Sequence, residues 1–311
     1  MGIERLARII PVLLTLGCAV NRPPVTRQEK VFSPPSHVMT IPPTRTVTHY
    51  PALGDAVNSA WEKYHPAVFA VGELHPIDHS TLPSTSFHFA AEALPIFAKK
   101  GCQLVSELLL SGEVIKKEIE DFRRTGRLGP NLSERFNGVR DFCGIMSFLQ
   151  QVRITGMPLV GSHVFGSARE IPNMDKWDQA LINTEITEEN IISLLNQGSN
   201  CVISYGGTWH NDIVPKTGNE KHSYGHHLWP LVGYLEFDIY LPELMRQIIE
   251  SLSPEEIASF DIPDDWAKLV PDQGVNLIQF PSGRMLAILP YSKQPVVPLD
   301  PAIPPNCPSI R

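Results

Sequence analysis

The chain has 311 residues, of which 42% are hydrophobic and 19% charged, with a formal net charge of −7. That is enough apolar material for a buried core and too little charge for a disordered chain. The acidic balance argues against a nucleic-acid partner, which needs a basic footprint. Proline is the unusual residue, with 29 copies, about 9% of the chain against a typical roughly 5%.

Residues 1–18, MGIERLARIIPVLLTLGC, place a basic start (Arg5, Arg8) before an apolar run from Ile9 to Leu16. The run is far shorter than the roughly 20 residues of a membrane span and has the layout of an export signal. Thr15-Leu16-Gly17-Cys18 resembles a bacterial lipobox, in which the cysteine is lipidated and the preceding peptide removed. The expectation is a signal over residues 1–17 and a lipid anchor at Cys18, which would bind the protein to a membrane of the bacterial cell envelope. Seven prolines between residues 19 and 51, without hydrophobic periodicity, predict an extended tether over 18–51. Eight more fall in 281–311, and residues 291–311 read as a proline-rich tail.

Besides Cys18 there are Cys102, Cys143, Cys201 and Cys307. They allow up to two disulfides in three connectivities, and the absence of CxxC argues against a zinc-cysteine site. Cys102 and Cys201 each open an apolar run and read as small buried hydrophobes.

In chain order, Val68–Val71 is a short apolar strand ending in Gly72-Glu73. Residues 86–100 read as a helix interrupted at Pro95 and stopped at Gly101. Cys102–Leu110 is a second strand, and 112–124 and 139–153 are helical. Met157–Val164 is a third strand, and 176–197 a helix. Asn200–Tyr205 is a fourth strand, followed by Gly206-Gly207. Tyr234–Leu241 alternates like a half-buried strand, and 242–251 and 254–260 read as helices. Val275–Phe280 and Met285–Leu289 flank Pro281-Ser282-Gly283-Arg284, a hairpin signal. This alternation predicts one α/β domain over residues 52–290. A largely parallel central sheet would be flanked by helices, with the C-terminal hairpin adding antiparallel strands at an edge.

Ligands of such sheets bind beyond the carboxyl ends of the strands. The four predicted strands end in or run through Gly72-Glu73-Leu74-His75, Glu107, Gly161-Ser162-His163 and Gly206-Gly207-Thr208-Trp209-His210-Asn211-Asp212. Glu73 and His75 are two apart, so on extended chain they face one side together. Glu107 lies inside an apolar run, where an unpaired charge would cost several kcal/mol, so it needs a partner or a proton. His163 also suits a turn, and Asp212 also suits a helix N-cap. His222, His226 and His227 form a local cluster that reads either as a solvated loop or as a metal-binding one. No GxGxxG, P-loop, GxSxG or HExxH occurs, which argues against a dinucleotide enzyme, an NTPase, a standard serine hydrolase and a zincin.

Val71-Gly72-Glu73-Leu74-His75 resembles the first-strand GExH signature of a superfamily. Its members are ChaN-type haem-binding lipoproteins, erythromycin-esterase-like proteins and Tiki/TraB-type proteases. Tyr205 to Asp212 resembles the GG-x-x-H-N-D form of its later motif. Leu235-Glu236-Phe237-Asp238 with Pro242-Glu243 resembles the strand that follows, and Glu107 falls where the family places a second-strand glutamate. The resemblance covers about residues 66–245, and the ChaN-type branch is closest in layout. Pro76 directly after His75 departs from the esterase-like branch, and no clear counterpart of a haem-ligating tyrosine is visible.

The resemblance implies a parallel α/β core with the motif residues gathered at one edge. Two activities follow from its branches. One is hydrolysis of a small-molecule or peptide substrate. Glu73 or His75 would act as base on a water, His210 as acid or metal ligand, and Glu107 would orient a partner. Its divalent zinc or manganese would be held among His75, His163, His210 and Asp212. The other is haem or iron binding without catalysis, with Tyr205, Tyr224, His222, His226 and His227 available as ligands. A non-catalytic scaffold on the same fold is the third reading.

Overall fold

The computed structural model describes residues 42–74, 84–136, 141–163, 176–253, 257 and 262–292. Eight strands form one sheet in the order β1-β7-β8-β6-β2-β5-β3-β4. They are β1 (Thr46–Tyr50), β2 (Val68–Glu73), β3 (Gln103–Leu110), β4 (Leu159–His163), β5 (Val202–Gly207), β6 (Tyr234–Tyr240), β7 (Val275–Gln279) and β8 (Met285–Ile288). From β8 to β4 all neighbours are parallel, while β7 runs antiparallel to both β8 and β1. The expected α/β class is therefore present, with the antiparallel β7–β8 hairpin toward one edge of the sheet.

The longer connections are helical. In chain order they are α1 (Leu53–Tyr64), α2 (Thr85–His88), a π-turn (Phe89–Ala93), α3 (Leu94–Lys99), α4 (Glu113–Thr125), α5 (Pro130–Phe136), α6 (Phe142–Thr155) and α7 (Lys176–Asn196). Then follow α8 (Thr208–Asn211), α9 (Tyr224–Leu228), α10 (Pro242–Ser251) and α11 (Trp266–Leu269). Parallel strands need such crossovers, and strands covered on both faces read as continuous apolar runs. That is why β2 and β5 were legible, since every residue of both is buried. One face of the sheet carries an aromatic core in which Phe69 packs on Phe97 and Phe237. Phe89 of the π-turn stacks on Tyr205, with ring centroids 4.3 Å apart.

Several expectations change. The last residues of the predicted tether, Thr46–Tyr50, are strand β1, paired residue by residue with β7 from Thr46 opposite Gln279 to Tyr50 opposite Val275. The hairpin is thus not the outermost element. Pro95 does not interrupt the helix. It sits at the start of α3, where its missing N–H costs little, and the irregularity is the π-turn just before it. All seven residues of β6 are buried, so the alternation of Tyr234–Tyr240 reflects no solvent face. Glu236 and Asp238 are buried because Arg284 of the β7–β8 hairpin lies against both, its Nε 3.2 Å from Glu236 and 2.8 Å from Asp238.

Cys102 and Cys201 are joined to each other, with Cα atoms 4.8 Å apart, and are not free thiols. Cys143 is disulfide-bonded as well. The predicted signal, Cys18, most of the tether, most of the 254–260 helix and most of the tail lie outside the described residues. No helix among the described residues is long and apolar enough to cross a membrane.

Candidate functional site

The carboxyl ends of β2, β3, β4 and β5 carry two buried acidic clusters, one on each face of the sheet. Glu107 belongs to the first. It is 5% exposed, and its Oε2 accepts the Gly207 N–H at 2.9 Å. A Cβ on Gly206 would overlap the Glu107 carboxyl, so that glycine makes room for the charge on this face. His163 at the end of β4 places Nε2 3.7 Å from Glu107 Oε2. Neither ring nitrogen of His163 has a hydrogen-bond partner among the described residues. Burial opposes ionisation of Glu107. Positive charge on His210 and His163, when their rings are protonated, and the Gly207 N–H overcome it and bring the carboxyl down to about 2.

His210 is held on α8, the short helix that opens directly at the end of β5. Its Nδ1 lies 3.0 Å from the His222 carbonyl and 3.1 Å from Thr184 Oγ1 of α7. The Thr184 hydroxyl donates to the same carbonyl at 2.9 Å. A carbonyl only accepts, so Nδ1 carries a hydrogen, and Nε2 is the nitrogen that can hold a lone pair. The next residue fixes the helix to the sheet: Asn211 Nδ2 donates to Asp238 at 3.1 Å, and the Tyr234 hydroxyl donates to the Asn211 carbonyl at 2.8 Å. Burial and the charges of Lys221 and His210 lower the pKa of His222, against a raising effect of Asp178.

Glu73 belongs to the second cluster. Its neighbour across β5 is Gly207, the residue whose amide holds Glu107. Alternation along the strands sends the two carboxyl groups to opposite faces, because Glu73 shares the face of Tyr205 and Glu107 that of Gly206. Glu73 is 4% exposed. Its Oε2 accepts the Tyr205 hydroxyl in a short bond and the Ser86 hydroxyl at 3.1 Å. Asp141, the N-cap of α6, stands beside them, and its Oδ1 accepts the Gly144 N–H at 3.1 Å. Burial and the Glu73 charge push Asp141 up to about 7, against hydrogen bonds from Ser84, Ser86 and Gly144. Burial and the same carboxylate push the Tyr205 phenol well above its ordinary value.

Of the expected residues, the structure brings Glu107, His163 and His210 together and sets Glu73 apart from them. His75 lies outside the described residues. Asp212 closes a local turn, its Oδ1 accepting the Val214 N–H at 2.8 Å. Among the described residues no three His, Cys, Asp or Glu side chains gather as metal ligands. Tyr205 and Tyr224 are fully buried with their hydroxyls bonded to protein groups, the latter to Ser204 at 2.9 Å. His227 pairs with Glu188 at 2.9 Å.

Sequence reasoning missed Asp141 because it lay inside the run read as a helix from residue 139. The N-cap signal was present, as an aspartate just before the apolar stretch Phe142 to Val152. Nothing in the local sequence marks Ser86 or Thr184, which act by tertiary contact alone.

No protein-family model matches the chain, and no curated protein matches it. Among solved structures it is similar to the type III effector HopBA1, with TM-score 0.41 and 12% identity over 79% of this chain and 98% of that one. It is similar to RRSP, a MARTX toxin effector domain from Vibrio vulnificus CMCP6, with TM-score 0.36 and 15% identity over 52% of this chain. It spans 31% of that RRSP chain. ChaN of Campylobacter jejuni, a structure titled for cofacial heme binding, gives TM-score 0.37 and 9% identity over 60% of this chain and 86% of that one. These are distant structural similarities to ChaN and to toxin effector domains.

Proposed function

We propose that the chain is a hydrolase whose reaction is carried by His210 and Glu107 at the carboxyl end of the sheet. The observation that carries this reading is the His210 ring, held through Nδ1 by the His222 carbonyl and close enough to the buried Glu107 carboxyl for the two to interact. With Nδ1–H directed at the His222 carbonyl, Nε2 is the atom that takes a proton from an attacking water. Glu107, held by the Gly207 amide, acts by its negative charge, which stabilises the imidazolium that forms. The imidazolium then returns the proton to the leaving group. His163 supplies a second ring beside the same carboxylate. A zinc or manganese ion at His75, His163 and His210 would add Lewis-acid polarisation of the substrate.

The substrate is a small molecule or peptide reached from a membrane anchor at Cys18 in the bacterial envelope. The Cys102–Cys201 disulfide supports an oxidising compartment. Fractionation of bacteria expressing the full chain tests the anchor: Cys18→Ala moves the protein out of the membrane fraction, and unchanged partition refutes it.

The activity is tested by assaying ester, amide and phosphoester panels with the purified mature chain, His210→Ala and Glu107→Gln. Each substitution lowers kcat/KM by about a hundredfold or more with the fold retained by circular dichroism. Full activity in His210→Ala would sink the assignment.

A further inference from the structure

Glu236 and Asp238 stand two apart on β6, so both carboxyl groups lie on one face of the sheet. Each of them bridges two partners. Asp238 Oδ2 accepts the Arg284 Nε–H at 2.8 Å, and its Oδ1 accepts Asn211 Nδ2–H at 3.1 Å. Glu236 Oε1 lies 3.2 Å from Arg284 Nε, and its Oε2 accepts the Ile213 N–H at 2.9 Å. One oxygen of each acid thus faces the arginine of the β7–β8 hairpin, while the other holds the segment directly after His210. By the same alternation Tyr234 and Tyr240 share this face. The Tyr234 hydroxyl donates to the Asn211 carbonyl at 2.8 Å, and the Tyr240 hydroxyl accepts from Arg284 Nη2 at 3.1 Å.

The helix that carries His210 is too short to hold itself. It has four residues, and one turn forms too few internal hydrogen bonds to offset the cost of fixing the chain. Its place is set by what grips it on two sides. On one side the His222 carbonyl meets His210 Nδ1 at 3.0 Å, and the Ser223 hydroxyl meets the Asp212 carbonyl at 2.6 Å. On the other side are the two acids of β6. Gly72 shows how close that second contact is. It lies opposite Asp238 in the β2–β6 register, and a Cβ there would overlap Asp238 Oδ1 and crowd Asn211 Nδ2. Asn211, Ile213, Glu236, Asp238 and Arg284 are all buried, so water does not replace a partner that is lost.

We propose that Arg284 is a positioning residue for His210. By holding Asp238 and Glu236 from the hairpin, it sets the placement of Asn211 and Ile213 and so the angle at which the His210 ring meets the His222 carbonyl. The planar guanidinium suits this role. Its Nε faces both acids while Nη2 donates to Tyr240, a fork that the point charge of a lysine does not reproduce. Asp238 is the matching link. An asparagine there has one acceptor oxygen and one NH2 group, and so cannot accept from Arg284 and Asn211 together. The effect on turnover rests on the hydrolase reading, whereas the effect on the ring does not.

The test is NMR of the mature chain labelled with nitrogen-15, at pH 8.5, above the ordinary histidine range. The His210 ring signals, assigned by their loss in His210→Ala, show the Nδ1–H tautomer in the parent. In Arg284→Lys they move to a mixture of the two tautomers. The Ile213 amide then exchanges with solvent about tenfold faster or more, relative to the amides of β3 and β4. Asp238→Asn gives the same two changes and serves if Arg284→Lys fails to fold. A parent ring already mixed, or a tautomer unchanged in the folded variants, overturns the proposal. So does a rise in exchange that is equal at Ile213 and across β3 and β4, which is the mark of lost stability alone. With an active substrate in hand, kcat falls about tenfold to a hundredfold in Arg284→Lys while KM stays within about twofold. Absence of turnover in every sample refutes the hydrolase reading and leaves the ring and amide signals to decide the role of Arg284.

Discussion

The Gly207 amide donates to Glu107 Oε2 at 2.9 Å, so the end of β5 carries the ionised carboxylate of β3. Glu107 is therefore a depressed acid, with its proton bound in the unfolded chain at pH values where the folded chain has lost it. Its stabilisation is complete above the ordinary glutamate range and is lost as pH falls from about 4.5 toward about 2. Glu107→Gln lowers unfolding free energy at pH 7 by on the order of 3 kcal/mol. The difference from the parent narrows toward pH 2 to 3 in urea titrations at each pH. A constant difference at all pH values would show that the charge is not the cause.

Asp141 behaves in the opposite sense. Its folded value is raised to about 7, so the folded chain binds a proton that the unfolded chain has released. Stability from this group is complete below the ordinary aspartate value near 3.8 and is lost as pH rises through about 7. Across that window it falls by on the order of 4 kcal/mol, and Asp141→Asn removes the slope. Thermal unfolding between pH 4 and 8 reads both effects, provided that the Glu107 contribution at the acid end is compared in the same series.

Gly206→Ala places a methyl group where the Glu107 carboxyl lies. The carboxyl cannot move without losing the Gly207 amide and the two histidines. The expected cost is about 1–3 kcal/mol in denaturant titration, as for other overpacked sites, and the proposed hydrolysis is lost with it.

Arg284 is the cation between Glu236 and Asp238. Burial and Asp238 push Glu236 well above its ordinary value even with the arginine present. Arg284→Met leaves the two acids facing each other and is expected to cost about 3–5 kcal/mol, as for other broken buried pairs. The double replacement Arg284→Met with Asp238→Asn recovers part of that loss, which a thermal-shift comparison of the two variants measures.

The sheet was legible because its parallel strands are covered on both faces, so β2, β3 and β5 appear as short apolar runs closed by glycine or by charge. Glu107 stood out for the same reason, being an acid where the pattern demands an aliphatic residue. The second cluster was not legible, because its members come from β2, α2, α6 and β5 and meet only after folding. The alternation of β6 misled, since Glu236 and Asp238 face a buried arginine from a hairpin more than forty residues later and not water. The edge strand β1 was hidden by its exposed pattern and by the prolines before it, which match a tether equally well.

The Cys102–Cys201 bond lies at the starts of β3 and β5, about 17 Å from Glu107 along the strand at the usual rise per residue. A one-residue slip between these strands would turn Glu107 toward the aromatic face and strand it without the Gly207 amide. The bond forbids that slip. It acts as a registration pin whose effect is felt at the far end of the strands, so that chemistry at one edge is indexed by a covalent link at the other.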